Sequence, residues 1–298
     1  MSKYGIALLL AWVLAPWLGG AQAEQTNTPL QAGADQGLLW RIEKPGVAPS
    51  HLLGTLHSED PRIVALPEPV SHALHSADRV TLEVILDPNS LAAMSGVMQI
   101  VEGPELPALL GEALYRKTVQ AMATQGVPEQ SLRTLKPWAV AMTLMVPKTN
   151  TGLFLDRVLY LEALAKGKPI AGLETVAEQI EVFDGLSRDD QVALVAESLR
   201  SFPKLDTLYA ELRAAYVRRD LRAIAALNDT AMREGDPGLA QRFSARAITD
   251  RNARMVERMQ PGLQQGNTFF AVGALHLPGE TGILQALRRQ GYTVTAVY

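Results

Sequence analysis

Apolar and polar positions alternate or cluster in two distinct rhythms along this chain. Near both ends the apolar runs are short and rich in β-branched and aromatic residues, the signature of strands. Leu38–Glu43 and Ser50–His57 read as the first two strands. A helix from Pro67 to Ala77 follows, and Arg79–Val84 returns as a strand. At the other end, Thr268–Val272 is a buried strand by pattern. Ile283, Leu284 and Leu287 mark a helix closed by Gly291, and Tyr292–Val297 is a last strand. This strand–helix–strand succession predicts a parallel pair.

Between Asn89 and about Leu263 the period changes to that of helices. Expected helices run over 91–101, 109–124, 130–145 and 152–166, then 175–183, 192–199, 221–228 and 248–259. Ser187–Asp190 has the form of a capping box, and Asp220 is placed to cap the next helix. One short strand, Pro169–Glu174, interrupts the helices. The expected architecture is α/β, a mixed or mostly parallel sheet built from both ends of the chain with a large helical insertion. Residues 38–298 are expected to form one domain, because neither end has strands enough for a sheet of its own.

The extreme N-terminus stands outside this fold. Lys3, the apolar run Gly5–Leu18 and Ala21-Gln22-Ala23 form a secretory signal pattern with cleavage after Ala23. The run is short for a membrane-spanning helix, so no stable span is expected once the signal is removed. Residues 24–37 read as a flexible lead-in. Export to a periplasm or to the medium follows, and absence of cysteine excludes disulfides, thiol catalysis and thiolate metal sites. A net charge of −3 provides no basic field for nucleic acid. Nothing in the pattern fixes an oligomeric state.

Two copies of Gly-x-x-His stand out: Gly54-Thr55-Leu56-His57 and Gly273-Ala274-Leu275-His276. Each ends a predicted strand and precedes a helix and another strand. Open α/β sheets bind ligands at the carboxyl ends of their strands, so the two motifs read as half-sites that meet in space. Glycine three residues earlier permits a sharp turn or the close approach of a neighbour. Imidazole is a common metal ligand and general base, although a single such histidine reads equally as a satisfied core residue.

Glu83 lies among Val80, Leu82, Val84 and Ile85, so it either faces solvent or is held at a polar site. Glu174 repeats that situation after its own short strand. By spacing, Arg251, Asn252 and Arg254 suit a solvated helix face, and Asp156 and Arg157 suit the surface. His72 and His75 share a helix face open to water, His51 has no role, and Trp138, Met142 and Met145 read as core.

The quoted segments resemble the TraB/PrgY/GumN family, which includes the Tiki proteins. The likeness rests on both Gly-x-x-His motifs, on Leu135-Lys136-Pro137-Trp138, on Gly172-Leu173-Glu174-Thr175, and on Arg251-Asn252 followed by Met255. The resemblance implies a fold distantly similar to erythromycin esterases and to haem-binding ChaN proteins. It also implies site roles for His57 and His276, carboxylates from Glu83 and Glu174, and a charge-stabilising contact from Arg251. Tiki members are metal-dependent peptidases, which implies a divalent ion (Mn, Co or Zn) on His57, His276 and Glu83 or Glu174, and a peptide or small-molecule substrate. Two alternatives stay open: metal-free hydrolysis with His57 as base, and capture of a peptide or haem-like ligand without chemistry.

Overall fold

A computed structural model describes residues 36–85, 94, 96–147, 151–232 and 236–298. The signal sequence, nearly all of the lead-in and most of the helix expected over 91–101 lie outside the described residues.

Six strands form one mixed sheet: β1 (Leu39–Glu43), β2 (Ser50–Thr55), β3 (Arg79–Val84), β4 (Ile170–Glu174), β5 (Thr268–Gly273) and β6 (Thr293–Ala296). Their spatial order is β4-β3-β5-β2-β1-β6. The thirteen described α-helices are α1 (Pro61–Val64), α2 (Glu68–Ser76), α3 (Leu106–Thr124), α4 (Glu129–Leu132), α5 (Pro137–Met145), α6 (Leu155–Ala165), α7 (Val176–Asp184), α8 (Arg188–Ser201), α9 (Leu205–Val217), α10 (Leu221–Met232), α11 (Pro237–Ser244), α12 (Asp250–Gln265) and α13 (Ile283–Arg289). The fold is thus α/β with a large helical part, as the sequence pattern implied.

β5 decides the topology. Its run of Phe269, Phe270, Ala271 and Val272 is buried throughout, which suits a central strand covered on both faces. It inserts between β2 and β3 and pairs in parallel with each, so the first and last parts of the chain share one sheet. β4 joins β3 in parallel. The carboxyl ends of β2, β5, β3 and β4 therefore lie along one edge, with Thr55 opposite Gly273 and Val84 opposite Glu174. The outer strands β4 and β6 are short and partly exposed, as edge strands are.

The expected pairing of the last two strands is not formed. β5 and β6 run in the same direction, but β2 and β1 lie between them, and β6 pairs antiparallel with β1. β2 and β3 already flank β5 and leave it no free edge. Another correction concerns residues 130–145, where Pro137 starts a new helix because it has no amide hydrogen to continue the preceding one. Helices α9 and α11 have no counterpart among the expected elements.

Apolar side chains gather in two clusters. One surrounds the sheet with α2, α6, α9, α12 and α13, and the other lies among α3, α5, α7, α8 and α11. Phe202 and Ile248 pack against both. Trp138, Met142 and Met145 are core residues of the helical cluster, in keeping with the sequence reading.

Candidate functional site

The second Gly-x-x-His motif turns immediately after β5. Residues 274–276 form one 3-10 turn, which carries His276 to the carboxyl edge of the sheet, where it is buried. Gly54 makes that turn possible from the neighbouring strand. A Cβ at Gly54 would sit 2.7 Å from Leu277 Cδ1 and 3.1 Å from Ala274 Cα. The glycine of one motif therefore accommodates the turn of the other.

Arg251 binds the cluster together. Its side chain has no solvent exposure, contrary to the solvated face that spacing suggested. A π-helical turn over Ala245–Thr249 leads into α12, and such turns recur near functional sites. Arg251 Nη2 lies 2.5 Å from Glu83 Oε1 and 2.5 Å from Glu174 Oε2. Nε donates to both oxygens of Glu174, at 3.1 and 2.9 Å. Nη1 donates to the Ala247 carbonyl at 3.2 Å and faces His276 Nε2 at 3.3 Å. A guanidinium only donates, so His276 Nε2 supplies the lone pair there. Its Nδ1–H then donates to Asn252 Oδ1 at 2.6 Å, and Asn252 Nδ2 donates to the Thr281 carbonyl at 2.9 Å.

Both carboxylates are densely supplied with donors. Glu83 also accepts from Gln179 Nε2 at 2.9 Å and from the Gly273 amide at 2.8 Å. Glu174 accepts from Arg254 Nη2 at 2.8 Å. Burial pushes the Glu83 pKa up, but Arg251, His276 and the Gly273 amide outweigh it and hold it at about 2. Burial, and then the Arg251 charge, drive His276 down to about 4. At neutral pH the cluster therefore holds charged Glu83, charged Arg251 and uncharged His276. Leaving a buried ion unpaired costs about 3–5 kcal/mol, which explains why so many donors converge on two carboxylates.

His57 stands apart from these contacts. It follows β2 directly, and its ring packs on Phe154 with centroids 3.6 Å apart. Both ring nitrogens are buried and have no hydrogen-bond partner among the described residues. Burial drives its pKa down to about 3, only partly offset by Glu59. Glu59 in turn accepts from the amides of Thr151 and Gly152, next to Phe154. His57 is uncharged and presents an unused lone pair.

Asp156, read from sequence as surface, also belongs at this edge. It lies in the first turn of α6 and accepts from Thr55 Oγ1 at 2.7 Å. It is half-buried. The one available signal was its position just after Phe154-Leu155 at a helix start, which does not separate a site carboxylate from a helix-end charge. His72 and His75 remain on the surface, His75 facing Glu162 at 3.2 Å.

As arranged, these donors do not fit a metal ion. The carboxylates of Glu83 and Glu174 are taken up by Arg251, Arg254, Gln179 and Gly273, and His276 gives its lone pair to Arg251. Of these donors only His57 has nitrogens without a partner, and both are buried. Among the described residues no group of three or more His, Asp or Glu side chains is spaced to hold a metal. The cation that these carboxylates bind is a guanidinium.

A parallel strand edge carrying an Arg–Glu–Glu–His cluster between two Gly-x-x-His motifs defines a class of α/β protein with a buried charged site. The TraB/PrgY/gumN family profile matches residues 38–296, and the chain belongs to that family. Among its relatives, zebrafish (Danio rerio) "Metalloprotease TIKI2" is 26% identical over 91% of this chain. "Metalloprotease TIKI1" of the same organism is 28% identical over 99%, and its human (Homo sapiens) counterpart 25% over 86%. The chain spans 62% of the length of the first, 70% of the second and 61% of the third. No solved structure matches the chain.

Proposed function

We propose that this chain is an exported hydrolase of peptides, acting at the strand edge formed by β2, β5 and β3. The supporting observation is the convergence of buried Glu83, Glu174, Arg251 and His276 on one network at the carboxyl ends of parallel strands. Burying so many ionisable groups is costly, and such clusters concentrate at active sites. The names of the relatives support proteolysis as the reaction class. The reading places residues 38–298 in one domain. Among the described residues no helix is long and apolar enough to cross a membrane, and the signal pattern at 1–23 supports export.

In this reading Arg251 is a positioning residue. It pairs with Glu83 and, together with Arg254, with Glu174, and it fixes His276, whose tautomer Asn252 sets. Glu83 Oε2, which accepts from the Gly273 amide, retains lone-pair capacity for a water. His57 stands on the β2 side of this edge, with both ring nitrogens buried and unpartnered.

A mixture of unmodified peptides is incubated with the purified mature chain, with and without Mn²⁺, Co²⁺ or Zn²⁺, and products are read by mass spectrometry. Cleavage by wild type, lost in His276→Ala and His57→Ala, supports the reading. Peptides recovered intact but bound to the protein would replace hydrolysis by capture. Cleavage that arises only with added ion and is lost in both variants would mean that the carboxylates leave Arg251 to bind metal.

A further inference from the structure

A hydrolase needs a group that takes the proton of water and returns it to the leaving amine, and His57 suits this poorly. Its ring is sealed in an apolar contact with Phe154, and a base that resists protonation so strongly does not hold the proton it abstracts. Glu83 is locked by Arg251, Gln179 and Gly273. One carboxylate at the edge is free of such locking. Asp156 Oδ1 accepts from Thr55 Oγ1, its own backbone amide supplies a further hydrogen bond, and no Arg or Lys pairs with it among the described residues. Thr55 is the last residue of β2, two positions before His57, and lies opposite Gly273, whose amide holds Glu83. Asp156 is thus held on the β2 side of the edge, by the residue that lies opposite Gly273, and carries no paired cation.

We propose that Asp156, held by Thr55 and paired with no cation, is the proton-transferring residue of this site. The role rests on the hydrolase reading above. As the water oxygen bonds to the peptide carbonyl carbon, Asp156 takes a proton from that water. As the carbon–nitrogen bond breaks, Asp156 gives the proton to the departing amine. Water is the only co-reactant, and the carboxylate ends as it began. The ionisable groups facing Asp156 are Glu83 from β3 and Tyr216 from α9, whose hydroxyl donates to the Gly54 carbonyl at 2.7 Å. Burial raises the Asp156 pKa to about 6, the Thr55 hydrogen bond opposes that rise, and the Glu83 charge adds to it. Glu83 and Asp156 are therefore driven apart, to about 2 and about 6, and such a split assigns different duties to two carboxylates.

Peptide cleavage by the mature chain is followed from pH 5 to 9 for wild type, Asp156→Asn, Asp156→Glu and Thr55→Val. Asp156→Asn should lower kcat by about 100-fold or more with little change in KM. It should also remove the rise in rate with pH centred near 6. Asp156→Glu should restore part of kcat, and Thr55→Val should move the rise to higher pH by removing a hydrogen bond that favours the carboxylate. A higher unfolding temperature for Asp156→Asn than for wild type above pH 6 would show that its loss of rate is not a loss of fold. A wild-type rate in Asp156→Asn, or a rise unmoved in Thr55→Val, overturns the role and leaves the hydrolase reading standing. No cleavage by wild type above that of His276→Ala overturns both.

Discussion

The Gly273 amide donates to Glu83 Oε2 at 2.8 Å, so the second Gly-x-x-His motif begins by holding the carboxylate of a strand 190 residues away. Arg251 completes the hold from the opposite oxygen, and it does the same for Glu174. Replacing Arg251 by Met would leave buried Glu83 without its cation and Glu174 with Arg254 alone. The expected loss is about 3–5 kcal/mol of unfolding free energy, read from urea denaturation. Adding Glu83→Gln and Glu174→Gln to Arg251→Met should recover a substantial part of it. Equal stability of the single and triple variants would show that the charges are not the source of the loss.

Because two guanidiniums, Arg251 and Arg254, pair with these carboxylates, chelation should not unfold the protein. Wild type with EDTA and wild type with Mn²⁺ are expected to share one unfolding temperature. Any ligand that binds only the folded state raises that temperature by mass action. A metal-dependent rise abolished in His57→Ala would place an ion on the unpartnered ring nitrogens and contradict the expectation.

The strands and the place of both Gly-x-x-His motifs at strand ends were legible because period-2 patterning and strand-end glycines are local properties. Burial of Glu83, Arg251 and Asp156 was not, since a charge is buried only where a distant residue repays its lost hydration. Arg251 meets partners 77 and 168 residues away, and its own helix looks polar enough for solvent. The pairing of β6 was illegible for a related reason. Strand, helix and strand in succession state a direction but not a neighbour, and the neighbour was set by β2 and β3 already flanking β5.

Gly54 offers a direct check on how the two halves meet. A Cβ at this position comes within 2.7 Å of Leu277 Cδ1 and 3.1 Å of Ala274 Cα. Gly54→Ala must therefore push the 274–276 turn, and with it His276, away from β2. We expect about 1–3 kcal/mol of destabilisation. The loss of peptide cleavage should exceed that seen for Gly96→Ala, where the backbone is not left-handed and a Cβ meets nothing within 4 Å. If both variants cleave equally, the contact does not position the site.

Acid should weaken this fold earlier than its carboxylates alone would dictate. His57 and His276 are held uncharged, at about 3 and about 4, mainly by burial. In the unfolded chain both titrate near the ordinary value of about 6.5. Between those values the unfolded state binds more protons, so stability rises with pH there. Their contribution is complete above about 6.5 and is lost as pH falls through that value toward 4. Glu83, held at about 2, adds its own loss only at pH values below its unfolded value of about 4.5. Asp156 works in the opposite sense, since a raised pKa favours the folded state most at low pH and the gain fades as pH climbs toward 6. Wild type should therefore show a falling urea midpoint from pH 7 to pH 5. His57→Phe, which removes one titrating ring while keeping the contact with Phe154, should flatten that fall. A slope unchanged in His57→Phe would mean that His57 takes up its proton in the folded protein as readily as in the unfolded chain.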